Sequence, residues 1–133
     1  MTNNVFKMPV RVYYEDTDAE GIVYYANYLK FAERARFEFL RANNCPAEIE
    51  KDGERCAFVA RHAELDYKQS AFLGDLLSVS CEITEIKNSS VEVYQEVKRG
   101  EDLLCVVKLT LVFININRHR PTRITDDMRG ILK

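Results

Sequence analysis

Apolar and polar residues alternate from Val5 to Tyr14, with Phe6, Met8, Val10, Val12 and Tyr14 on one side. A period of two predicts a strand. Pro9 lacks an N–H, so the strand belongs at a sheet edge or carries a bulge. The period then lengthens. Tyr28, Phe31, Ala32, Ala35, Phe39 and Ala42 fall on one helical stripe, with Leu29 and Leu40 at its margin and Lys30, Arg34 and Arg41 opposite. That predicts an amphipathic helix from about Tyr25 or Asn27 to Asn43, whose alanines allow close approach to a sheet. Asn43-Asn44-Cys45-Pro46 supplies an Asn C-cap with Pro beyond it. Phe37 falls on the polar side, where it is either a lone exposed ring or a subunit contact.

Ala47 to Lys51 reads as a short helical turn closed by Asp52-Gly53. Cys56 to Tyr67 reads as a strand with Ala57, Val59, Ala63, Leu65 and Tyr67 sharing a face and Arg61 intruding into that row. A loop covers Lys68 to Asp75. Leu77, Val79, Cys81 and Ile83 alternate with polar residues, as do Val91, Val93, Gln95 and Val97 after the turn at Lys87-Asn88-Ser89-Ser90. A second turn, Arg99-Gly100-Glu101-Asp102, leads into Leu103 to Ile116, apolar at nearly every position, which predicts a central strand buried on both faces. The tail, Asn117 to Lys133, is polar and is expected to add a short strand or frayed helix at most. Strands joined by short turns form an antiparallel sheet, and one helix against one sheet makes a two-layer α+β domain.

A chain of 133 residues, 47% hydrophobic and 30% charged, fits one globular domain with one core. The net charge of −2 argues against a nucleic-acid surface. No apolar run is long enough to span a membrane, and the N-terminus lacks the apolar region of a signal peptide. Cys45, Cys56, Cys81 and Cys105 are scattered with no C-x-x-C pair. They predict neither zinc nor a disulfide frame, and the expected compartment is a reducing cytoplasm. His62 and His119 are the only histidines, and neither lies in a motif.

Candidate chemistry concentrates in Tyr13-Tyr14-Glu15-Asp16-Thr17-Asp18-Ala19-Glu20-Gly21-Ile22-Val23-Tyr24-Tyr25-Ala26-Asn27-Tyr28. Carboxylates crowd its front, a glycine follows, and the long helix begins. A helix N-terminus offers unpaired N–H groups and partial positive charge, which can hold a carbonyl oxygen on its way to an oxyanion. A nearby carboxylate can act on that carbonyl or on a water beside it. On spacing alone, such aspartates are equally the caps and turn residues that precede any helix.

Asp16-Thr17-Asp18-Ala19-Glu20-Gly21-Ile22-Val23-Tyr24-Tyr25-Ala26-Asn27-Tyr28 resembles the signature of the 4-hydroxybenzoyl-CoA thioesterase family, and Glu33-Arg34-Ala35-Arg36 resembles its bacterial Tol–Pal-associated acyl-CoA thioesterase branch. The similarity runs from about Val10 to about Ile116. It implies a single hotdog domain over 1–133, an antiparallel sheet of about five to six strands wrapped around one long helix. It implies pairing into homodimers or homotetramers with sites between subunits. It also implies hydrolysis of short- to medium-chain acyl-CoA without metal or cofactor. The family's functional carboxylate, the second Asp of Asp-x-Asp, carries over to Asp18. The family's polarising backbone N–H carries over to Tyr25, with Gly21 letting the chain approach the ligand. Asp18 as base and Asp18 as nucleophile both remain open.

Val23, Tyr24, Asn27 and Tyr28 complete the substrate-contacting set within the motif. Phe58, with Tyr24 and Tyr28, is a candidate wall of the acyl pocket, each being equally a core aromatic. Arg61 is a candidate ligand contact or the partner of a carboxylate. Lys87 is the preferred phosphate contact among Lys87, Arg99, Arg118, Arg120 and Arg123. Asp16 reads as structural, and Glu33 as an ion-pair partner of Arg36 three residues on. Many members of the branch carry His where this chain has Tyr25, which puts any side-chain role at that position in doubt and leaves the backbone role intact. The alternatives to an acyl-CoA substrate are an acyl carrier protein thioester, a hydratase reaction, which would need a His–carboxylate pair, and a scaffold subunit of an envelope or lipid-synthesis complex.

Overall fold

A computed structural model describes residues 5–133. The strands are β1 (Phe6–Arg11), β2 (Glu48–Lys51), β3 (Glu54–Tyr67), β4 (Leu76–Ile86), β5 (Ser90–Arg99), β6 (Asp102–Asn115) and β7 (Arg120–Pro121). The helices are α1 (Asn27–Ala42) and α2 (Asp126–Leu132). One seven-stranded sheet runs β1-β4-β5-β6-β3-β2, with β7 on β6, and every pairing is antiparallel. Pro9 therefore sits on an edge strand, where its missing N–H costs no ladder bond.

α1 crosses one face of the curled sheet. Phe31, Ala32 and Ala35 are fully buried against Leu77 and Val79 of β4, Val97 of β5 and Val107 of β6, among others. Small alanines let the helix axis lie close to the strands. The alternating rows of β4 and β5 face this core, as their period requires. Gln95, in the β5 row, is also fully buried. Its amide nitrogen donates to the carbonyls of Ala32 (2.9 Å) and Ser80 (3.0 Å), and its oxygen accepts from the Arg36 guanidinium (3.0 Å). No buried side-chain polar atom of this cluster is left without a partner, so burial costs little. Arg36 is committed to Gln95, and the expected pair with Glu33 does not form.

Four further differences from the pattern reading have local causes. Glu48–Lys51 is a strand, and Asp52-Gly53 is a hairpin turn, with φ of 54° and 79°, joining it to β3. β3 carries a bulge at Arg61: Ala60 pairs with Leu111 and His62 with Thr110. The extra residue reverses the facing, so Cys56 and Phe58 point inward before it and Leu65 after it, while Val59 is exposed. The row from Ala57 to Tyr67 is therefore broken at the bulge. Lys108 of β6 is exposed within an otherwise buried run. Finally, the tail enters the core. Ile124, Met128 and Leu132 are buried, and Arg129 donates to the carbonyls of Lys87 (2.7 Å) and Asn88 (2.8 Å).

Candidate active site

Residues 13–28 form a doubled-back segment at the N-terminal end of α1. Asp16 is buried, and its carboxylate accepts the Tyr13 N–H at 2.8 Å. Its carbonyl accepts both the Tyr24 N–H (3.0 Å) and the Asn27 side-chain amide (2.8 Å). Thr17 and Val23 bridge across the loop. At its tip, the Asp18 N–H donates to Ile22 O and the Gly21 N–H to Asp18 O. Gly21 has φ of +80°, a conformation that side chains resist, so glycine is needed to close the turn. Asp18 is exposed, and its Oδ1 accepts the Glu20 N–H at 2.8 Å. Two aspartates two positions apart thus have opposite fates: Asp16 is structural, and Asp18 is presented to solvent at the tip of the loop that leads into α1.

α1 begins without a capping side chain, because Ala26 precedes it. The Asn27 N–H bonds back to Tyr24 O (2.8 Å) and the Leu29 N–H to Ala26 O (3.2 Å). Among the described residues the Tyr25 N–H has no acceptor. An uncapped helix end therefore carries a free donor on the same hairpin as Asp18.

A second loop braces the first. The Val23 N–H donates to Ala71 O (2.9 Å), and Ile22 bridges Phe72. The Ala71 N–H donates to the Tyr28 phenol oxygen at 3.2 Å. Asp75 holds this loop: it accepts from the Phe72 N–H (2.9 Å) and the Arg99 guanidinium (2.8 Å). Burial would raise the Asp75 carboxyl, but those hydrogen bonds and the Arg99 charge bring it below its usual range. Burial raises the Tyr28 phenol. Sequence reasoning left residues 68–75 as a bare loop; only the Gly74-Asp75 pair hinted at structure.

The motif residues Asp18, Gly21, Val23, Tyr24, Tyr25, Asn27 and Tyr28 come together, but not all face outward. Val23, Asn27 and Tyr28 are buried and spend their polar groups inside the fold, whereas Tyr24 and Tyr25 are exposed and pack at 4.8 Å. The neighbouring Tyr25 side chain raises the Tyr24 phenol. Phe58, Arg61 and Lys87 lie elsewhere in the chain. Phe58 packs on Phe113 at 5.0 Å near the start of β3, while the motif abuts its far end at Tyr67. Those ends are separated by about 25–30 Å at the rise of an extended strand. Arg61 is exposed at the bulge. Lys87 sits at the opposite end of β4 from the motif loop, 3.8 Å from Glu92. Of the other cations, Arg118 pairs with Glu54 and Arg123 with Asp126, both at the tail.

All four cysteines are buried, with burial pushing Cys81 up to about 12 and Cys105 up to about 11, so neither supplies a thiolate nucleophile at neutral pH. Among the described residues no group of three or more His, Cys, Asp and Glu is placed to hold a metal ion, and no helix is long and apolar enough to cross a membrane.

Residues 12–132 match the model of the thioesterase-like superfamily. The chain is 36% identical to the acyl-CoA thioesterase YbgC of Haemophilus influenzae over 130 residues, covering 98% of this chain and 96% of that one. It is 42% identical to the acyl-CoA thioester hydrolase YbgC of Escherichia coli over 104 residues, 78% of this chain and 77% of that one. The crystal structure of a probable thioesterase from Bartonella henselae superposes with a TM-score of 0.83 at 33% identity, covering 92% of this chain and 98% of that one. Both the antiparallel sheet with its long helix and the motif loop belong to this shared frame.

Proposed function

The chain belongs to the thioesterase-like superfamily, and from that membership and the open helix end beside Asp18 we propose an acyl-CoA thioesterase that releases a short- to medium-chain free acid and CoA. The observation that carries the reading is the pairing of an exposed carboxylate with an unclaimed Tyr25 N–H on one braced hairpin. The N–H and the helix dipole stabilise the oxyanion that forms when the thioester carbonyl is attacked. Asp18 supplies the attack, as a base on water or directly as a nucleophile. The thiolate leaves without a strong acid, so no histidine is required. Tyr25 in place of the branch's usual His is compatible with this, because the donor is backbone.

The reading extends to a homo-oligomer. β2 covers only Glu54–Ala57 on the outer edge of β3, and among the described residues no strand lies on the edge from Phe58 to Tyr67. Val59 and Tyr67 on it are exposed. An open edge of this length invites pairing with another strand. Antiparallel pairing with a second copy would set the start of one β3 beside the end of the other. That would carry Phe58 and Arg61 of one chain toward the Tyr25 end of its neighbour, which is how residues scattered in one chain would serve one site.

The test is free-thiol release from a panel of acyl-CoAs of graded chain length, with Asp18→Asn beside the wild type. The expected loss is about 10²–10⁴-fold with unchanged thermal stability. An Asp18→Asn chain nearly as fast as wild type would remove Asp18 from the mechanism. No thiol release from any acyl-CoA would overturn the acyl-CoA reading and favour the carrier-protein or scaffold alternatives.

A further inference from the structure

The entry to α1 leaves the Tyr25 carbonyl for an outside partner. The Leu29 N–H, which an ideal helix would give to Tyr25 O, goes instead to Ala26 O. Tyr25 O accepts the phenol O–H of Tyr67 at 3.0 Å, from a residue 42 positions away at the end of β3. The Tyr67 ring also packs edge-on against Tyr25 (6.2 Å) and Tyr28 (5.6 Å). Its base is fixed: Tyr67 pairs with Cys105, and the next two N–H groups, of Lys68 and Gln69, both donate to Leu104 O.

This contact holds the middle peptide of the turn that the Asn27 N–H closes on Tyr24 O, one peptide beyond the plane that carries the Tyr25 N–H. The peptide before Tyr25 is held by the Asn27 N–H on Tyr24 O, and the peptide after it by Tyr67 on Tyr25 O. With both flanking peptide planes anchored, the direction of the Tyr25 N–H is set. Without Tyr67, the middle peptide is free to rotate toward water, which loosens the turn and with it the Asn27-to-Tyr24 bond that holds the plane of the Tyr25 N–H. We propose that Tyr67 is a positioning residue for thioester hydrolysis, holding the turn so that the Tyr25 N–H points at the oxyanion. It touches no reacting atom; it acts through the Tyr25 carbonyl. Burial, with a smaller contribution from Cys105, raises the phenol, which keeps it a donor across the neutral range. The assignment rests on the oxyanion role of Tyr25 proposed above.

The experiment compares wild type, Tyr67→Phe and a chain with 4-aminophenylalanine at position 67, alongside Asp18→Asn. Phenylalanine keeps the ring packing and removes only the donor; the aniline restores an N–H at the same place. A misdirected donor weakens the transition state more than the bound substrate, so kcat should fall about tenfold or more with KM within about twofold. The amino variant should recover most of it. An unchanged kcat in Tyr67→Phe, a change confined to KM, or no recovery with the aniline would overturn the assignment. So would a Tyr67→Phe chain that does not fold, since the hydroxyl would then be holding the fold as a whole. In all these cases normal wild-type turnover that is lost in Asp18→Asn leaves the thioesterase reading standing; no wild-type turnover removes both.

Discussion

The two ends of α1 are treated oppositely. At the C-terminal end every device of closure is used. The Asn43 N–H reaches the carbonyls of Phe39 (3.2 Å) and Leu40 (3.1 Å), and its side-chain amide donates to Phe39 O at 2.7 Å. Asn44 takes the left-handed conformation at φ of 56°, and the Cys45 N–H closes on Leu40 O at 2.9 Å. At the N-terminal end there is no capping side chain, and the Tyr25 N–H is unclaimed. Yet this end is not loose. Asp16, Asn27, Tyr28, Ala71 and Tyr67 fix the backbone around it with hydrogen bonds. The missing cap is local to the entry of α1, where the N–H groups of Ala26 and Tyr28 also lack acceptors among the described residues. The surrounding structure invests in holding an unsatisfied donor still, which is what preorganised stabilisation of developing charge requires.

That contrast can be broken at either end. The largest effect on stability is expected from Asp16→Ala, which strands the Tyr13 N–H and unlocks the loop that carries Asp18. Loss of about 1–3 kcal/mol in urea unfolding is expected, together with loss of turnover, because the hairpin no longer holds the carboxylate and donor in register. Full activity in a destabilised Asp16→Ala would show that loop order does not matter. The smallest effect belongs to the closed end. Asn44→Gly relieves the left-handed residue and should stabilise by about 0.5 kcal/mol, leaving kcat where it was. A change in kcat there would mean that the two ends are coupled through the helix.

How much of this could be read from the chain depends on how local each signal is. α1 was legible to within a residue or two because its stripe and its Asn-Asn-Cys-Pro stop are local. The rows of β4 and β5 were legible because period two survives in strands facing one core. Glu48–Lys51 was not, since four mostly charged residues carry too little alternation, and the Asp52-Gly53 signal was taken as a stop instead of a hairpin. The Arg61 bulge was invisible because pairing with β6 sets the register. α2 was hidden because only Met128, Ile131 and Leu132 within it, with Ile124 just before, mark it among polar residues. In the candidate site, Asp18 and Gly21 were legible as a compact motif, and the burial of Asp16 with its bond to the Tyr13 N–H fits its structural reading. Tyr67, Asp75 and the hold of Arg99 on Asp75 were not, because their bearing on the motif comes from strand pairing across many residues. Phe58, Arg61 and Lys87 fall outside the motif cluster in a single chain, and only pairing along the free β3 edge would bring the first two toward one.

The most direct test of the open helix end is Ala26→Asp, measured for stability and turnover together. A carboxylate at this position completes the helix electrostatically, adding about 0.3–1 kcal/mol, and it repels an oxyanion forming at the Tyr25 N–H. The prediction is a chain that unfolds at higher urea yet hydrolyses acyl-CoA at least about tenfold more slowly, a loss equivalent to about 1.4 kcal/mol of transition-state stabilisation. A chain that is stabilised and turns over at the wild-type rate would place the oxyanion away from the start of α1 and contradict the central claim.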